Sequence, residues 1–231
     1  MVKAEKRIFY TELSYVFGMI IMAFGAAFTE LGGLGMSMVV APAYILHLKI
    51  SEFLPWFSFG IAEYCIQGLI ILITVLAVRR FKLSYLFSFV TALLYGALLD
   101  SAIFAVSFIP NEALILRIIW FCVGTLLCSI AVSLFFHTYI SPEAYELIIR
   151  EISDKFKVNI NKTKTVYDLI STVIGIILSF VFFGFGVFKG VGIGTVICAI
   201  INGFLISRFS SLLEKNFTFR DKFNLAKYFQ L

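Results

Sequence analysis

The sequence predicts an all-α integral membrane protein, with six transmembrane helices forming two inverted three-helix repeats. Each repeat carries a short re-entrant or interfacial helix after its first span. Three observations lead there. Of 231 residues, 61% are hydrophobic and only 14% charged, with a mean hydropathy of +0.99; a typical soluble domain is about 45–50% apolar and about 25% charged. Six stretches are apolar for roughly 17–25 residues, the length that crosses a bilayer. Finally, Lys and Arg alternate between rich and poor connections along the chain. A soluble fold of this size cannot bury so much apolar surface. That excludes a disordered chain, a disulfide-built secreted domain and a soluble enzyme.

The six stretches are Leu13–Leu31, Trp56–Val78, Tyr85–Phe108, Leu116–Phe136, Tyr167–Phe188 and Val191–Ser207. The basic start (Lys3, Lys6, Arg7) followed by an apolar run resembles a signal peptide, but the run is long and more spans follow, so an uncleaved first span is expected. Pro42, Pro55, Pro110 and Pro142 all fall outside the spans, as chain-breaking residues should. Met36–Leu48 is apolar but only 13 residues long. It is too short to span and too apolar for a solvated loop, which points to a half-helix.

The positive charges test this count. In chain order the termini and connections carry 3, 1, 3, 1, 5, 1 and 5 Lys or Arg. Sixteen therefore fall on one side and three on the other. The positive-inside rule reads this as six spans with both termini cytoplasmic. The net charge of +5 reports this topology and does not imply nucleic acid as a partner. The expected segments are a cytoplasmic N-terminus (1–12), a first repeat (13–108), an outer loop (109–115), a second repeat (116–209) and a basic, aromatic cytoplasmic tail (210–231). The tail, with Lys215, Arg220, Lys222 and Lys227 among Phe and Tyr, reads as an interfacial helix on anionic lipid.

The repeat appears in two signals that recur in the same order. Ala41-Pro42-Ala43-Tyr44 and then Lys49-Ile50-Ser51-Glu52 align with Ser141-Pro142-Glu143-Ala144-Tyr145 and then Glu151-Ile152-Ser153-Asp154. Ala92 to Leu99 in the third span aligns with Ala199 to Ile206 in the sixth, the offset drifting from 100 to 107. Three spans per unit invert the second unit in the membrane. Inverted repeats with interrupted helices are a transporter arrangement, with the site expected near the midplane.

The run Gly190-Val191-Gly192-Ile193-Gly194-Thr195, the Ala199-x-x-x-Gly203 after it and the Ser141-Pro142-x-Ala144-Tyr145 segment resemble the YczE/YitT group of bacterial multi-pass membrane proteins. The resemblance spans most of Leu13–Phe209, with Ala41-Pro42 where Ser-Pro is usual. It implies a bacterial membrane location and the multi-pass fold, and only a general suspicion of transport.

Ionisable residues inside spans are costly and are therefore site candidates. Glu63 and Asp100 both lie about 9–12 Å from the outer end of their spans at 1.5 Å per residue, and Gln67 is one turn below Glu63. These three are expected to line one outward-facing polar cavity. Tyr95 and Asn202 hold equivalent repeat positions and join them as candidate substrate-binding residues. Ser37, Ser141 and Thr195 start short or interrupted helices, whose free N–H groups favour anions or are capped by the hydroxyls. Ala92/Gly96 and Ala199/Gly203 are small pairs expected at helix–helix contacts. Glu30 and Asp168 are expected as interfacial caps, and His47 and His137 as interfacial residues without a role in function. Cys65, Cys122, Cys128 and Cys198 show no metal-type or disulfide spacing. With no nucleophile–base motif and no phosphate loop, no enzyme activity, cofactor, metal or autonomous ATP-driven pumping is expected.

The expected function is a small-solute transporter or permease of the bacterial plasma membrane, with the bilayer, a small solute and a homo-oligomer or coupling subunit as partners. Two other readings compete. One is a non-transporting scaffold or regulator, docking through Glu143–Val166. The other is the substrate-binding membrane subunit of an ATP-driven vitamin importer, with Ala23-x-x-x-Ala27 as its helix-contact face.

Overall fold

The computed structural model describes residues 6–82, 84–140 and 143–223. The elements, in order, are β1 (Arg7–Tyr10), α1 (Thr11–Gly32), α2 (Ala41–Ile50), α3 (Phe59–Val78), α4 (Ser84–Val106), α5 (Leu114–Phe135), α6 (Ala144–Phe156), α7 (Ile160–Phe183), α8 (Ile193–Asn216) and β2 (Phe217–Arg220). Six of these helices are long and apolar enough to cross a membrane: α1, α3, α4, α5, α7 and α8. At 1.5 Å per residue each is about 30–36 Å long, close to the hydrocarbon thickness of a bilayer. The short helices α2 and α6, of 10 and 13 residues, reach only about half as far.

Local chemistry sets the ends. α1 stops at Gly33, which adopts a left-handed conformation (φ 59°) that a side chain disfavours. Pro42 sits in the first turn of α2, where no N–H is needed. Ser58 caps α3, its hydroxyl accepting from the Ile61 N–H at 3.2 Å. α7 ends at Phe183 because Gly184 (φ 101°) and Gly186 (φ 86°) turn the chain away. The fifth span is thus Lys162–Phe183 and begins earlier than the Tyr167–Phe188 read from the sequence. The sixth runs on to Asn216, well beyond Ser207.

α1 and α5 pack at the centre through glycines that allow backbone approach. A Cβ on Gly124 would lie 2.6 Å from the Gly25 carbonyl oxygen and 2.5 Å from Thr29 Oγ1. A Cβ on Gly25 would lie 2.8 Å from the Cys128 nitrogen. α4 joins α1 through Tyr15 and Thr91, whose hydroxyls are 2.5 Å apart. α8 joins α5 where the Ser133 hydroxyl donates to the Ile206 carbonyl at 3.0 Å. α3 and α4 meet at Gly60 and Gly96, each occupying the space a side chain on the other would need.

The two short helices fill complementary places. α6 runs beside α3 in the same direction. The Ala144 N–H donates to Gln67 Oε1 at 3.3 Å, nine residues into the 20-residue α3, and Lys155 reaches the Ala77 carbonyl near its end. α6 therefore starts at mid-depth and descends to one surface. α2 runs beside α7: Ala41 faces Gly175, Ile45 lies against Gly175 and Gly190, and Lys49 Nζ lies 5.8 Å from the Phe183 ring. α2 descends to the opposite surface.

The first and last described elements lie together. β1 and β2 pair in parallel, Arg7 with Phe217 through Tyr10 with Arg220. The Glu12 carboxylate accepts from the Lys222 and Phe223 N–H groups and from the Tyr139 hydroxyl. This terminal surface replaces the interfacial helix expected over the tail: through Arg220 the tail is the end of α8 plus a strand. Residues 224–231 are outside the described residues.

Two small-residue expectations need correction. Ala92 is buried and Gly96 packs on Gly60, as expected of a contact pair. Ala199 and Gly203 are exposed, and a Cβ on Gly203 would meet nothing within 4 Å. α8 packs through a different face, on which Cys198 and Thr195 lie. Ala23 and Ala27 are 1% exposed inside the core, so they offer no face to a coupling subunit.

Candidate functional site

A cavity of about 230 Å³ lies where the two short helices begin. Its wall takes Met22, Ala26 and Thr29 from α1, Met36–Val40 from the stretch entering α2, and Tyr95 from α4. α5 adds Thr125, Cys128, Ser129, Val132 and Phe135. The first turns of α6 add Glu143, Tyr145, Glu146 and Ile149, α7 adds Lys164, Tyr167 and Asp168, and α8 adds Cys198, Ala199, Asn202, Gly203 and Ile206. The cavity runs from mid-depth toward the terminal surface, where Lys164 is exposed.

Sequence expectation and geometry agree on part of this wall. Tyr95, 2% exposed, and Asn202 both line it, as does Ser37, whose carbonyl accepts from the Val40 and Ala41 N–H groups that open α2. Thr195 does not; its hydroxyl accepts from the Gly192 N–H at 3.1 Å and serves as a cap. Ser141 lies outside the described residues.

The expected outward-facing cavity of Glu63, Gln67 and Asp100 does not form. Asp100 is a cap: Oδ1 accepts from the Gly60 N–H at 2.8 Å and Oδ2 accepts from the Ser58 hydroxyl. It satisfies the free end of α3 from a neighbouring helix. Glu63 and Gln67 are fully buried and anchor α6. The Tyr145 hydroxyl donates to Glu63 Oε2 at 2.5 Å, and Gln67 Oε1 receives the Ala144 N–H. Glu63 stands behind the cavity wall, one hydrogen bond away through Tyr145, and Gln67 holds the neighbouring Ala144 N–H. Glu63 Oε1 and Gln67 Nε2 have no hydrogen-bond partner among the described residues.

Two acids read as interfacial caps take other places. Asp168 sits two turns inside α7, because that helix starts at Ile160, and its Oδ1 is buried without a partner among the described residues. Glu30, with Oε2 buried and unpartnered, lines a second cavity of about 200 Å³ at the far surface, together with Tyr44, Leu48 and Lys189. Thr29 and Met36 belong to both cavities, so they form the partition between them. His47 and His137 bind main-chain carbonyls, of Phe57 at 2.9 Å and of Ser133 at 2.7 Å.

Glu143 and Glu146 are not among the site residues that the sequence offers, although Glu143 belongs to the repeat signal of the second short helix. Burial pushes both carboxyls above the usual carboxylate range; Glu63 and Glu146 push Glu143 further, and the Lys164 ammonium opposes both shifts. Among the described residues no group of three or more metal-ligating side chains is gathered. The four cysteines are free thiols.

Residues 9–211 match the profile of a family of unknown function, DUF6198, and the chain belongs to that family. No curated protein matches the chain, and no solved structure does.

Proposed function

We propose that this member of the family is a small-solute permease of a bacterial plasma membrane, with its site in the cavity where the two short helices begin. The observation that carries the reading is the convergence of their first residues, 36–40 and 143–146, on one cavity at mid-depth. In a bilayer, irregular backbone is tolerated only where protein buries it or it lines an aqueous cavity. Broken helices meeting at mid-depth are the way such permeases build a site.

The exchange of places between α2 beside α7 and α6 beside α3 supports two inverted repeats, as does the pairing of Gly25 with Gly124. The charge alternation supports a cytoplasmic terminal surface. On this reading the shown state is closed at the far side by Thr29 and Met36 and open toward the cytoplasm. The YczE/YitT resemblance supports the bacterial location.

A thermal-shift screen of the purified protein against ions, amines, amino acids, vitamins and organic acids tests the reading, because a solute that binds only the folded state raises the melting temperature. The expected result is a saturable rise that Asn202→Ala or Tyr95→Phe abolishes. No rise with any solute, with both variants behaving as wild type, would overturn it in favour of the scaffold.

A further inference from the structure

The chemistry of the cavity wall narrows the solute class, and this step rests on the permease reading above. Polar atoms buried without a partner show what a site still lacks. Among the described residues of this wall they are Asp168 Oδ1 and Asn202 Oδ1, both oxygens. An amide can turn to present its NH₂ group, but an ionised carboxylate only accepts. The missing partner of Asp168 in its ionised form is therefore a donor.

Charge gives the same direction independently. Among the described residues, Glu143, Glu146 and Asp168 line the cavity with the ammonium of Lys164, and Arg150 also acts on Glu146. The positive end of α6, which would otherwise attract an anion, already has its own Glu143 and Glu146 beside it. Burial disfavours ionising these carboxyls until a cation enters, so the group favours a cation over an anion. Tyr95 lines the same cavity, and an aromatic ring there is the group that stabilises a desolvated cation. The volume, about 230 Å³, lies below the roughly 300–1,000 Å³ of drug-sized sites, so the solute is small.

We propose that the cavity binds a small protonated amine, whose ammonium group donates to Asp168 and Asn202 and is balanced by the carboxyl groups at the start of α6.

The test is titration of the purified full-length protein with ethylammonium chloride, tetramethylammonium chloride and sodium acetate, read by thermal shift and calorimetry. Ethylammonium is expected to bind saturably and at least tenfold more tightly than tetramethylammonium, which cannot donate. Asp168→Asn and Glu146→Gln should each weaken it tenfold or more, and their unliganded melting curves show whether they fold. If acetate binds in an Asn202-dependent way and ethylammonium does not, the amine proposal falls and the permease reading stands. If ethylammonium binds equally to wild type and both variants, the proposal falls as well. If neither these probes nor the broader screen gives any binding, both fall together.

Discussion

Asp100 and Asp168 are both carboxylates inside long apolar helices, and they do opposite things. Asp100 has both oxygens engaged by the first turn of α3, whereas Asp168 leaves one oxygen empty at a cavity. The sequence placed Asp100 at a depth typical of a functional acid, but its role depends on a loop forty residues earlier folding against it. Removing it with Asp100→Ala should cost about 1–2 kcal/mol, the typical value of a lost cap and its hydrogen bonds. Thermal or denaturant unfolding should show that loss, with solute binding intact; a loss of binding at unchanged stability would return Asp100 to the site. Glu143 and Glu146 carry a pH prediction. Both are raised from 4.5 in the folded chain, so the native state holds extra protons above that pH. Stability then falls as pH rises from about 4.5 through the raised values. Melting temperatures of the unliganded protein should decline over that window, and the Glu143→Gln/Glu146→Gln double variant should flatten the decline. A wild-type profile that rises over the window would contradict the assignment.

At the scale of elements, apolar length and charge made the six long helices legible, and length alone exposed the first short helix. The ends were less legible where the decisive signal was conformational. The fifth span was read five residues too far because Gly184 and Gly186 stop α7 by turning, not by polarity. The helix contacts show the same limit. Ala199 and Gly203 have the right spacing but line the cavity, with nothing packed where a Gly203 side chain would go, whereas Gly25 and Gly124, 99 residues apart, hold α1 against α5. Only the partner helix decides which small residues matter. Gly124→Ala should destabilise by about 1–3 kcal/mol, the usual cost of overpacking a tight contact. Gly203→Ala should be neutral or stabilise by up to about 1 kcal/mol through helix propensity. Comparing the two melting temperatures checks this, and equal effects would mean that the α1–α5 approach is looser than described.

The whole molecule places two cavities in series, separated by Thr29 and Met36, with β1 and β2 clasped at one surface. That clasp was illegible in the sequence, since β1 and β2 are four residues each and lie about 210 positions apart. The cavity was half legible. Repeat alignment picks out Tyr95 and Asn202, but the acids at the start of α6 belong to a short helix whose charge reads as an interfacial or docking surface. The central claim is that this cavity is an aqueous solute path and not a packing void. Replacing Cys65, Cys122, Cys128 and Cys198 by Ala and introducing Asn202→Cys allows it to be probed with a membrane-impermeant maleimide. Inside-out and right-side-out vesicles then present opposite faces to the reagent. The account predicts rapid labelling from the cytoplasmic face, slowed by any solute that raises the melting temperature. No labelling from either face, in a protein whose exposed Lys164→Cys variant labels normally, would contradict it.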